Sequence, residues 1–116
     1  MRVVVCSEFA PLDRLQVVER DSVPCGQHSV RIAVAASGVN FVDGLVVQGL
    51  YQIKPRLPFV PGGEVAGRVT EVGAGVTEVV VGDRVFASVG MVGGFASEVV
   101  VDAGAVLHSP DGLTDG

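Results

Sequence analysis

Short valine-rich runs, each cut off by Gly, Pro or Asp, limit this chain's folding choices more than any other feature. The runs fall at residues 2–6 (RVVVC), 15–20 (LQVVER), 29–37 (SVRIAVAAS), 63–72, 79–81, 84–87, 95–101 and 105–108. β-branched side chains suit a pleated, half-buried surface. Turn residues recur about every ten positions, a spacing that marks an all-β sandwich or barrel. We therefore expect a mainly β fold of about eight short strands, as a partly open β-barrel with one or two short helices.

The punctuation is local and specific. Pro24-Cys25-Gly26-Gln27 reads as a turn, Gly73-Ala74-Gly75 as a turn or bulge, and Gly82-Asp83 as a hairpin-type turn. Residues 40–48 change character. Asn40 and Asp43 are helix-start residues, Phe41, Leu45 and Val46 share a face, and Gly49 stops the helix. Pro55, Pro58 and Pro61 then rule out regular structure and mark an irregular link. No internal repeat or interior linker is visible. The turn-rich end at 109–116 reads as a boundary where another domain would begin, since Leu113-Thr114-Asp115 ends in N-cap chemistry.

Composition narrows the function classes. A chain of 116 residues with 48% hydrophobic residues can form one domain with a real core. Trp is absent, so that core must be aliphatic. A net charge of −5, with a single Lys and scattered Arg, argues against nucleic-acid binding, which needs clustered cations to displace phosphate counterions. No apolar run reaches the roughly 18 to 20 residues of a membrane span, and no export signal precedes residue 10. The expectation is a soluble cytoplasmic protein. Cys6 and Cys25 lack motif spacing and read as buried small hydrophobes in a reducing compartment.

Several motif candidates fail on chemistry. Gly73-Ala74-Gly75 follows a strand, but Glu78 stands where a dinucleotide loop needs its third Gly, and a Val run replaces the helix. His28 and His108 have no Cys or Asp partner at motif spacing, and Ser7, Ser37 and Ser88 lack a nucleophile elbow.

The chain does carry an ordered series of short motifs: MRVVV at the start, residues 23–34, then GVNFVD, QGLY, LPFVPGGEVAGRV, VGAGV and VGDRV. In that order and spacing, over essentially the whole chain, they resemble the N-terminal GroES-like domain of the medium-chain dehydrogenase/reductase superfamily, in its zinc-free quinone oxidoreductase branch. In the zinc alcohol dehydrogenases of that superfamily, the positions matching Asn40 and Gly63 are Cys and His ligands. Neither residue here can hold zinc, which takes about three Cys, His or carboxylate ligands at a catalytic site. The structural-zinc lobe needs four clustered Cys, and residues 86–95 contain none. No metal is expected.

The resemblance implies a cleft wall facing a second domain. Asn40 would lie near the nicotinamide, where its amide can both donate and accept; it can also cap the helix. Asp43 would orient Asn40 or a substrate hydroxyl, or simply serve the first helical turn. Tyr51, the sole Tyr, would present its phenol to the reacting carbonyl oxygen, or anchor the Pro-rich link. Glu64 would support the cleft floor by holding backbone amides or Arg68. The implied parent enzyme is an NADPH-dependent, zinc-independent reductase that passes hydride to a quinone or α,β-unsaturated carbonyl and works as a homodimer. Its Rossmann domain lies outside this chain, which by itself would be inactive. Enoyl-thioester reduction is the alternative within enzymes, and a non-catalytic GroES-like binding or scaffold module the alternative outside them.

Overall fold

A computed structural model describes residues 1–90 and 92–109. Among these residues there are seven strands: β1 (Arg2–Val5), β2 (Gln16–Glu19), β3 (Ser29–Gly38), β4 (Glu64–Val72), β5 (Arg84–Ser88), β6 (Glu98–Asp102) and β7 (Val106–His108). One helix, α1 (Phe41–Val47), joins β3 to β4, and 3-10 turns occupy Leu12–Arg14 and Ala103–Ala105. β1 and β2 form an antiparallel ribbon, and the others form an antiparallel sheet in the order β6-β3-β4-β5-β7. Neither sheet closes on itself. Single bridges, Val3 to Ala96, Cys6 to Phe59 and Pro61 to Val92, tie the ribbon and the connecting segments together. The result is the partly open GroES-like β fold.

Alternation explains the main core. Along β4, Val65 and Val69 point inward while Arg68 and Thr70 face solvent. They meet Val30 and Ile32 of β3, Val85 and Ala87 of β5, Val99 of β6, and Val79 and Ala103. β3 takes two register shifts against β4, and such bulges bend a strand. Between them the sheet requires Gly67, since a Cβ there would run into the Ala33 carbonyl oxygen. A second, smaller cluster of Cys6, Val46, Val47 and Phe59 seats the helix, with Phe9, Leu15, Tyr51 and Val92 packed around it.

Four local expectations need correction. Residues 79–81 are not a strand: Val80 N–H donates to Asp83 Oδ2 at 3.0 Å, and Asp83 N–H donates back to the Val80 carbonyl at 3.1 Å. The short carboxylate offers the backbone a turn in place of a ladder, leaving Val80 and Val81 exposed. The turn expected at 24–27 centres instead on Gln27 and His28, where His28 has φ +57°. The strand expected at 95–101 begins only at Glu98, because the N–H groups of Phe95, Ala96 and Ser97 go to Pro61, Gly94 and Arg2 respectively. Finally, α1 buries Asp43, Val46 and Val47, while Phe41 is 84% exposed. The turn-rich end beyond Ser109 lies outside the described residues.

Candidate functional site

α1 begins where β3 leaves the sheet. Asn40 is extended (φ −112°, ψ 158°) and is the N-cap, as its residue type suggests. Three residues on, Asp43 reaches back: its Oδ2 accepts the Asn40 N–H at 2.9 Å, while its own N–H donates to the Asn40 carbonyl at 3.0 Å. Asp43 is only 8% exposed, the one buried charged residue among the described residues. At the far end Gln48 Nε2 donates to the Gly44 carbonyl at 3.0 Å, and Gly49 with φ +72° lets the chain leave the helix.

Asn40 and Asp43 share one wall of a cavity of about 520 Å³, whose other walls come from Leu12, Leu15, Leu45 and Phe95. Glu64 does not join them. It opens β4, is exposed, and lines a separate cavity of about 580 Å³ with Ser37 and Phe86. Gly38 links the two places, being the register partner of Glu64 and lying two residues before Asn40. Glu64 does not hold Arg68, whose Nη1 donates to the Gly82 carbonyl at 3.2 Å. Two residues four apart on an extended strand are too far separated to pair readily. Tyr51 lines neither cavity. Its half-buried ring packs on the second cluster, and its hydroxyl has no hydrogen bond among the described residues.

The Gly63 backbone leaves little room for a ligand side chain. A Cβ there would lie 2.8 Å from the Gly90 carbonyl oxygen. Among the described residues no group of three or more His, Cys, Asp and Glu could hold a metal ion. The donor set at this position does not fit zinc.

Sequence reasoning missed two charged arrangements, both made by residues distant in the chain. Arg31 is a hub: Nε donates to Glu71 at 2.9 Å, Nη1 to Glu98 at 2.8 Å, and Nη2 to the Val23 carbonyl. Ser22 also donates to Glu98. Hydrogen bonds from Ser22 and Arg31 hold the Glu98 carboxyl below the usual range, and its two carboxylate partners push Arg31 up. This clasp fastens the loop before β3 to the sheet. At the other edge His108 Nε2 lies 3.0 Å from Asp83 Oδ2. The Val80 N–H, and then His108, lower the Asp83 pKa. Cys6 is free and buried as expected; burial pushes its thiol up, and Sγ donates to the Glu8 carbonyl at 3.1 Å.

Residues 26–111 match the model of the alcohol dehydrogenase GroES-like domain. The chain belongs to that family. It is 44% identical, over 97% of its length, to a quinone oxidoreductase-like protein 2 homolog of Nematostella vectensis, and covers 31% of that relative. Its fold superposes on human synaptic vesicle membrane protein VAT-1 homolog-like protein with a TM-score of 0.90 at 35% identity, covering 99% of this chain and 37% of that one. It also superposes on Escherichia coli quinone oxidoreductase complexed with NADPH, with a TM-score of 0.91 at 28% identity, over 99% of this chain and 35% of that one. The chain thus spans about a third of the length of these relatives. As a family member it sits with the quinone oxidoreductases of the medium-chain dehydrogenase/reductase superfamily.

Proposed function

We propose that this domain is the substrate-side wall of the cleft in an NADPH-dependent, zinc-independent reductase acting on quinones or related conjugated carbonyls. The observation that carries the reading is the pairing of Asn40 and Asp43 on the wall of a largely apolar cavity, in a quinone oxidoreductase relative. The bound nicotinamide of a partner domain would supply hydride. This chain's own residues would position and polarise. Asn40 would offer its amide to the carboxamide or to the substrate oxygen. Asp43, by bonding the Asn40 backbone, would set the angle at which that amide enters the cleft. Tyr51, whose hydroxyl is unengaged, would donate to oxygen as negative charge develops there. Glu64, in its own cavity, would shape the cleft floor without touching the reacting atoms.

Zinc independence is supported by the amide at Asn40 and by the tight backbone at Gly63. On this reading Asn40 would meet only the nicotinamide end of the nucleotide. Among the described residues, Gly73-Ala74-Gly75 is a turn with no helix after it, so no loop of pyrophosphate-binding type is seen. We expect this chain alone to bind NADPH no more tightly than millimolar; micromolar binding by isothermal titration would overturn that division of labour. In the protein carrying both domains, a quinone should turn over faster than an enoyl thioester. The reverse order would move the chain to the thioester reductases.

A further inference from the structure

We infer that residues 21–25 are a strap that closes an apolar cavity between the β1–β2 ribbon and β6, and that Arg31 and Glu98 are the latch that holds it shut. The cavity has a volume of about 220 Å³. Val3 of the ribbon, Val99 of β6, and Val60 and Val92 of the connecting segments line it, and Arg20 and Val23 form its wall on the strap side. Asn40, Asp43, Tyr51 and Glu64 are not among its walls, so it is separate from the cleft proposed above.

The strap has no backbone ladder. Among the described residues, no main-chain N–H of residues 21–25 donates a hydrogen bond, and the only carbonyl that accepts one is that of Val23. Its two ends are anchored. The Arg20 N–H donates to the Met1 carbonyl at 2.8 Å, and the Met1 ammonium donates to the Arg20 carbonyl at 2.6 Å. At the other end the Gly26 carbonyl accepts the Ser29 N–H at 3.3 Å and lies against Gly73, where a Cβ would come within 1.9 Å of its oxygen. Beside that anchor Cys25 Sγ donates to the Ser29 carbonyl at 3.4 Å. Otherwise two hydrogen bonds hold the strap: Ser22 Oγ donates to Glu98 Oε1, and the Val23 carbonyl accepts from Arg31 Nη2. Both end on one ion pair, because Arg31 Nη1 donates to Glu98 Oε2 at 2.8 Å. Arg31 also spends Nε on Glu71, and only a rigid fork of donors serves three acceptors at once. With side chains 14% and 21% exposed, the pair is largely withdrawn from water, where charge-assisted bonds gain strength. A segment without a ladder, held at one point, opens as a local unit while the sheets stay folded. On opening, Val23 leaves the cavity wall and solvent gains access to Val3 and Val99, which are 2% and 8% exposed when the strap is shut.

A soluble gadolinium chelate tests the gate, because it relaxes only those methyl signals that solvent can approach. In Glu98→Gln the relaxation of the Val3 and Val99 methyls should rise roughly twofold or more, as local opening requires, while the Val30 and Ile32 methyls of the sheet cluster stay unchanged. Trypsin cleavage after Arg20, at the edge of the strap, should rise roughly tenfold relative to cleavage after Arg14, as loss of a hydrogen bond to a charged group predicts. If Glu98→Gln fails to fold, Ser22→Ala serves instead: Ser22 is exposed, so the core should tolerate the change. Cleavage after Arg20 should then rise about threefold. Glu71→Gln is the control, since Glu71 bonds Arg31 but not the strap, and it should leave both readouts at the parent level. Unchanged methyl relaxation in Glu98→Gln, unchanged cleavage after Arg20 in Glu98→Gln or Ser22→Ala, or an equal response to Glu71→Gln would each overturn the proposal.

Discussion

The two hydrophobic clusters of this domain differ in kind. The sheet cluster is built from Val, Ile and Ala with no polar side chain, and its members come from four strands and the segments between them. The helix cluster has four buried members, one of them a thiol, and lies beside the buried Asp43. Around it large apolar side chains stay in solvent: Val39 at 79%, Phe41 at 84% and Leu50 at 68% exposure. The first region satisfies itself. The second does not, and an exposed apolar rim beside a polar group is how a surface that meets something else is built. The larger packed core thus lies in one half of the molecule and the exposed apolar rim in the other.

Mutations can break this division, starting with the largest effect. Ile32→Ala, at a fully buried position of the sheet cluster, should cost about 2–5 kcal/mol in chemical denaturation. Val47→Ala in the helix cluster should cost only about 1.6 kcal/mol, the worth of two buried methylenes. A loss at Val47 equal to that at Ile32 would show that the helix belongs to the main cooperative unit. Tyr51→Phe should leave stability within about 0.5 kcal/mol. On the proposed reductase reading, the same change in a protein carrying both domains should lower turnover roughly tenfold or more, as loss of a positioned donor does; unchanged turnover would remove Tyr51 from the chemistry. Phe41→Ser should leave denaturation of the isolated domain within about 0.5 kcal/mol, yet weaken association with a separately supplied nucleotide-binding domain. The smallest expected effect is electrostatic. The Asp83 pKa is lowered in the fold, chiefly by the Val80 N–H and then by His108. Its contribution is therefore present above the ordinary aspartate pKa of about 3.9 and is lost as pH falls through the depressed value. Amide exchange at Val80, compared with that in Asp83→Asn, should show protection that disappears with acid only in the parent protein.

Much of the architecture was legible beforehand. Strand alternation is local, so β3 and β4 could be read within a residue or so of their ends. The helix start was legible because capping acts over three residues, and Asn40 and Asp43 bond as their spacing suggests. The failures share a cause. Residues 79–81 have strand composition, but the Asp83 side chain captures the Val80 N–H. The segment before β6 has strand composition too, yet its donors are spent on three different elements. Spacing put Phe41 on one helix face with Leu45 and Val46, whereas the packing surface offered to the helix admits Asp43, Val46 and Val47.

The candidate site divides in the same way. Residue types and their order determined the family, the helix-capping pair and the absence of zinc-type ligands at 40 and 63, because those are properties of single residues and short spacings. Only the tertiary structure decided that Asn40 and Asp43 face a cavity roofed by Leu12 and Leu15, that Glu64 lines another, and that Tyr51 packs on the helix cluster. It also brought Arg31 to Glu98 across 67 residues and His108 to Asp83 across 25. The reason is physical. Local bonds are specified by neighbours in sequence, but a cavity is what remains after distant segments have packed, so no spacing along the chain encodes its walls.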